Sequence, residues 1–166
     1  MNMMNDTIAA IATANATGAV SIIRISGEEA ILIASELINK DLSKKEGYTI
    51  TFGTVQEEND VVDEVLVSIF RAPKSYTGED VVEIGCHGGL FITRKILSLC
   101  LGKGARLARR GEFTERAFLN GKMDLSQAEG VNDLINATDE VNAKSAMHSL
   151  KGSVSKILKP LEEDLT

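Results

Sequence analysis

Two charged residues stand inside runs that are otherwise apolar. Arg24 interrupts 20–25, VSIIRI, and Glu83 interrupts 81–85, VVEIG. Side chains alternate between faces along a strand, so Arg24 shares the face of Ile22, opposite Ile23 and Ile25. On a covered face a guanidinium needs an anionic partner or ligand; on a solvent-facing side it needs neither. Glu83 poses the same question with the opposite sign. Its carboxylate can accept a pair of hydrogen bonds from a donor-rich heterocycle such as an amino-pyrimidinone edge, or it can form a salt bridge to Arg24 or another base. Lys122 follows Asn120 and Gly121 at a break between two helical segments. From there it can reach a ligand carboxylate or simply be solvated.

The run Cys86-His87-Gly88-Gly89 has the residue types of a thiol nucleophile and its base, but the spacing is wrong. Neighbours on a strand point to opposite faces and cannot form a dyad with each other. Backbone chemistry fits Gly88 and Gly89 better: they permit close approach at a strand-to-helix turn, whose amides can face an anion. His87 and His148 are the two histidines, and no Cys/His spacing supports zinc. The chain contains no G-x-x-x-x-G-K-[ST] phosphate loop.

The elements that must carry these residues follow from periodicity. Residues 7–12 and 20–25 read as short strands, with 14–18 as a loop between them. Ser26-x-x-Glu29 reads as a capping box opening a helix whose apolar stripe is Ala30, Ile33, Ala34, Leu37 and Ile38. Residues 49–56 and 64–71 read as a hairpin, 72–80 as a loop and 81–86 as a buried strand. A helix over 90–101 ends at Gly102 and Gly104, and 105–109 reads as a short edge strand.

Beyond about residue 120 only helical patterns remain. Ser126-x-x-Glu129 reads as a second capping box, with Ala128, Val131, Leu134 and Ile135 on one face. A longer helix is expected from Thr138 or Asp139, with the stripe Met147, Leu150, Val154, Ile157, Leu158, Leu161 and Leu165 and a kink or early end at Pro160. The chain stops within that stripe, and the expectation is a helical domain whose partner helices are missing.

Composition sets outer bounds. The 166 residues suit one domain plus part of another, and 43% hydrophobic content is ordinary for a globular protein. No membrane span or signal peptide is visible, and the two cysteines make no disulfide framework, so a reducing cytoplasm is the expected setting. Net charge is −6, yet residues 94–122 carry eight basic residues against only Glu112 and Glu115. Such a patch suits an anionic ligand or a polyanion, or is a solvated basic face. An RNA-docking module built on 94–122 is therefore an alternative reading, and a stand-alone Cys/His hydrolase is another.

Several blocks in order, DTIAAIAT at 6–13, IIRISG at 22–27, SYTGEDVVEIGCHGG at 75–89 and ARRGEFTERAFLNGKMDLSQAEGVNDLINA at 108–137, resemble the N-terminal part of the MnmE/TrmE family of tRNA-modification GTPases. AKSAMHSLKGSVS at 143–155 continues the likeness. The resemblance implies an α+β fold, a mixed β-sheet domain with packed helices similar to the tetrahydrofolate-binding domain of glycine-cleavage T-protein. It implies a domain over 1–120 that binds a reduced folate and forms a homodimer, and the start of a helical domain over 121–166. By motif match, the folate contacts would be Arg24, Glu83 and Lys122. The family is thought to use 5-formyltetrahydrofolate or a related folate as one-carbon donor for the wobble uridine of tRNA, acting with the flavoprotein MnmG. GTP, magnesium and potassium would belong to a G domain this chain lacks, so GTP hydrolysis is not assigned to these residues and no catalytic residue is expected among them. The chain departs from the family at 14–20, ANATGAV, where many members carry a Pro- and Gly-rich loop.

Overall fold

The computed structural model describes residues 6–152. They form two compact units, divided between Phe113 and Thr114. The elements in chain order are β1 (Ile8–Ile11), β2 (Val20–Ser26), α1 (Ala30–Leu37), β3 (Thr49–Glu57), β4 (Asp60–Phe70), β5 (Val81–His87), α2 (Leu90–Gly102), β6 (Arg106–Leu107), α3 (Glu112–Leu119), α4 (Leu125–Asn136) and α5 (Glu140–Leu150).

In the first unit six strands form one mixed sheet in the order β3-β4-β5-β2-β1-β6. All neighbours are antiparallel except β1 and β6, which run parallel. One face is the core. Ile23 and Ile25 of β2, Val82 and Ile84 of β5 and Val67 and Ile69 of β4 are fully buried there, together with α1 (Ile33, Ala34, Leu37) and α2 (Ile96, Cys100). Alternation along these strands produces that face, and the expected stripe of α1 is buried against it, with Ile31 buried as well.

The opposite face changes character along its length. The row Ile8–Ser26–Val81 is buried, the row Arg24–Glu83–Ser68 is half-buried, and the row Gly85–Leu66–Phe52 is open, with Leu66 at 52% and Phe52 at 53% exposure. The buried end carries Thr77, which is 0% exposed and comes from the 71–80 loop. Arg24 and Glu83 thus stand where cover gives way to open sheet.

Neither expected capping box forms at the residues expected for it. Ser26 is the last residue of β2 and its hydroxyl bonds Thr77 and Glu79, so it is not a helix cap. The α1 start is instead served from outside the helix, by Thr7 Oγ1 accepting from the Glu29 N–H at 3.0 Å. At α4 the box is Asp124 with Gln127, two residues before the Ser126/Glu129 pair. Asp124 is the better acceptor, because its carboxylate also meets the positive end of the helix dipole.

The second unit's α4 and α5 pack over small residues, with Gly130 and Ala146 their buried positions. Gln127 Nε2 donates to Leu150 O at 3.0 Å. Ile135, expected on the apolar face, is 77% exposed. The helix expected from 139 does begin at the Asp139 cap, but α5 ends at Leu150 and Gly152 adopts φ 71. Val154, Ile157, Leu158, Pro160, Leu161 and Leu165 lie outside the described residues. Among the described residues no helix is long and apolar enough to cross a membrane.

Candidate functional site

Register brings Arg24 and Glu83 side by side. They are direct cross-strand partners of β2 and β5. Glu83 Oε1 accepts a hydrogen bond from Arg24 Nε at 3.1 Å and lies 3.1 Å from Nη2 as an ion pair, with both side chains 26% exposed. The salt bridge that the sequence allowed is therefore present. It does not exhaust either group. Among the described residues Glu83 Oε2 accepts no hydrogen bond and Arg24 Nη1 donates none. The pair presents an acceptor and a donor on one partly open edge.

Two rings flank the guanidinium. Arg24 Cζ lies 5.4 Å from the ring centroid of Tyr76 and 5.4 Å from that of Phe113. Tyr76 comes from the 71–80 loop, which polar contacts pin at both ends. Asp80 Oδ1 accepts from the Ala72 N–H at 2.8 Å, and Ser26 Oγ bonds Thr77 Oγ1 at 2.7 Å. Arg71 holds the base of the loop by donating to the carbonyls of Ser43 and Lys45.

Phe113 follows Glu112, which is 2% exposed. Its carboxylate takes Arg106 Nη1 and Nη2, at 3.1 and 2.6 Å, and the Arg109 N–H at 2.8 Å. Burial pushes the Glu112 carboxyl up, but these donors and the charges of Arg106 and Arg109 outweigh it and hold the group below its usual value. A carboxyl lowered on folding contributes stability that is present above its unfolded pKa and lost as pH falls through the folded one. The Glu112→Gln variant should therefore be less stable than the wild type at pH 7, and the gap should close in acid. Denaturant midpoints at pH 7 and below 4 read this directly, and a gap that does not change with pH would count against it.

Lys122 belongs to the second unit. It is placed by the end of α3. Gly121 adopts φ 73, its N–H donates to Phe118 O and the Lys122 N–H donates to Ala117 O, the paired bonds of a Schellman turn. Asn-Gly-Lys is thus a helix stop with the lysine just past it, and the side chain is exposed.

The other sequence candidates resolve differently. Cys86 is 4% exposed on the core side, with Sγ 3.1 Å from Ser21 Oγ, and burial pushes its thiol up. His87 faces the other way and is bound through Nδ1 to Asp63 at 2.6 Å. No Cys-His dyad forms. A Cβ on Gly88 would lie 2.2 Å from Gly18 O, and the Gly88 N–H donates to Ala19 O. The bare backbone at Gly88 therefore serves the 14–19 loop, and its amide is not presented to an anion. The basic segment is consumed in part. Arg106 pairs with Asp6 and Glu112, Lys95 with Glu57, and Arg116 is 3% exposed. Tyr76 and Phe113 are the site neighbours that residue-type reasoning missed. Their signal was an aromatic in each of two charge-rich segments, in a chain that is only 4% aromatic.

One step along the sheet, Gly85 leaves a depression of about 290 Å³ lined by Val20, Phe52, Leu66 and His87 among others. It gives apolar floor near the charged pair.

Comparison with known proteins bears on what such an edge is for. Residues 7–122 match the family model described as GTP-binding protein TrmE N-terminus. The chain belongs to the TrmE N-terminus family. It is 50% identical over 163 residues to the tRNA modification GTPase MnmE of Levilactobacillus brevis, covering 96% of this chain and 35% of the relative. It is 48% identical over 164 residues to the protein of the same name from Flavobacterium johnsoniae, with 96% and 35% covered, and 46% identical over 167 residues to that of Clostridioides difficile, with 98% and 36% covered. The chain thus corresponds to the N-terminal part of MnmE/TrmE proteins and spans about a third of their length. Arg24 and Glu83 both fall within the residues the family model matches, as does Lys122.

Proposed function

We propose that this chain is the reduced-folate-binding, homodimerising module of a GTPase that modifies the wobble uridine of tRNA. The observation that carries the reading is the Arg24–Glu83 edge, with Glu83 Oε2 and Arg24 Nη1 still available for hydrogen bonding. A pterin offers the complement. Its 2-amino and ring N–H groups are donors for a carboxylate, and its carbonyl is an acceptor for a guanidinium. A carboxylate has about four lone-pair sites, so Oε1 can keep Arg24 while both oxygens accept from the ligand. Lys122 would contact tail or pterin oxygens. The bound folate would supply the one-carbon unit; the residues of this chain hold and orient it.

In this reading residues 1–120 form the folate domain, with a fold similar to that of the T-protein tetrahydrofolate-binding domain, and 121–166 begin a helical domain. GTP, magnesium and potassium act in the part of the protein beyond this chain. The flavoprotein MnmG and tRNA are its partners, and it works in the cytoplasm. The competing RNA-docking reading has weaker support, because Arg106, Lys95 and Arg116 are paired with carboxylates or buried.

Calorimetric titration with 5-formyltetrahydrofolate separates the two. Saturable binding by folded protein is expected, weakened about three- to tenfold in Lys122→Ala, the loss of one partly exposed charged contact. Absence of binding, alongside tRNA affinity that falls steeply with salt as counterion release requires, would overturn the folate reading.

A further inference from the structure

We infer that Tyr76 and Phe113 are positioning residues for the ligand, holding the Arg24 guanidinium so that its outward edge stays complementary to the bound heterocycle. The inference rests on the folate reading and goes beyond its three assigned contacts.

The geometry carries it. Arg24 leaves a strand whose backbone is fixed by partners on both sides. Its long side chain retains several rotatable bonds, and ordering such a chain costs about 2 kcal/mol. One hydrogen-bonded oxygen does not fix the plane of a guanidinium, and Arg24's hydrogen bond and its ion-pair contact both converge on Glu83 Oε1. The two rings supply the missing constraint, at equal distances of 5.4 Å. Contact between a guanidinium and a ring face is attractive through the ring quadrupole, and more so where water is partly excluded. Each ring is in turn held by a separate polar anchor. Tyr76 is adjacent to Thr77, which is fully buried and bonded to Ser26, and Phe113 is adjacent to Glu112, which is buried and bonded to Arg106. Two segments distant in sequence therefore converge on one side chain. Both rings meet Arg24, so the arrangement acts on the ligand through that side chain.

A positioning role differs from a structural one in how it couples to Arg24. In the full chain, 5-formyltetrahydrofolate affinity is measured for Tyr76→Leu, Phe113→Leu, Tyr76→Phe and Phe113→Tyr, each also made in an Arg24→Ala background. The expected result is a loss of about three- to tenfold for each leucine variant, the scale of a single cation–π contact. Near wild-type affinity is expected for the aromatic replacements. In the Arg24→Ala background the leucine variants should cause no further loss, while thermal melting shows each variant folded. If the wild type binds, Arg24→Ala weakens binding and the leucine variants leave affinity unchanged, the positioning role is overturned and the folate reading stands. Equal losses with and without Arg24 would likewise overturn it, assigning the rings to direct contact or to packing. Failure of the wild type to bind would instead remove the folate reading itself.

Discussion

Glu83→Ala is expected to reduce 5-formyltetrahydrofolate affinity by about 10- to 100-fold, the range set by losing hydrogen bonds to a charged group. The side chain is 26% exposed and sits on the outer face of the sheet, away from the buried Ile84 and Val82. Its removal leaves no buried cavity, so the fold should persist. Arg24 would lose its carboxylate but keep the two rings. Glu83→Gln is the sharper variant, because it preserves shape while turning one acceptor oxygen into a donor that opposes the pterin amino group. It should bind no better than Glu83→Ala. Arg24→Ala should cost about tenfold through its own lost contact. Melting curves separate these losses from unfolding: the alanine variants should melt within a few degrees of wild type. Glu83→Gln with wild-type affinity would mean the carboxylate is only the partner of Arg24.

Gly88→Ala is expected to be strongly destabilising. The added Cβ would meet Gly18 O at 2.2 Å, Gly18 C at 2.6 Å and Val20 N at 2.9 Å. All three are backbone atoms, so no side chain can swing aside, and the 14–19 loop or the β5 end must move. Overpacking against rigid surroundings costs roughly 1–3 kcal/mol, and a case with no flexible neighbour belongs at the upper end. Gly89→Ala is the control. Its Cβ meets nothing within 4 Å and its φ is −65, so the effect should be within about 0.5 kcal/mol either way. Equal melting temperatures for the two variants would contradict the packing account of Gly88.

That contrast shows what residue patterns convey and what they omit. Apolar alternation in VSIIRI was enough to set Arg24 on the face opposite Ile23 and Ile25, because a period of two is set by the backbone alone; which of the two faces is covered came only with the packed helices. The stripe of α1 was equally legible. The register that makes Arg24 and Glu83 direct partners is not a local property: it depends on β2 and β5 pairing across 59 positions of chain. Capping failed for the related reason that hydroxyls have competing uses. Ser26 matched the box pattern, yet the 71–80 loop brings Thr77 and Glu79 to it, and Thr7 serves the helix. Basic residues at 94–122 read as a patch because carboxylates distant in sequence are invisible to a local count; Asp6 lies 100 positions from its Arg106 partner. The aromatic neighbours of Arg24 were hidden likewise, since Tyr76 and Phe113 approach it from separate segments.

A crystal structure of the full chain with 5-formyltetrahydrofolate would show whether Glu83 and Arg24 form the recognition edge for a reduced pterin. The 2-amino and ring N–H groups are expected at about 2.7–3.0 Å from the Glu83 carboxylate, with Arg24 donating to a ligand oxygen. Ligand density elsewhere on the chain, with Glu83 Oε2 and Arg24 Nη1 still uncontacted, would contradict it.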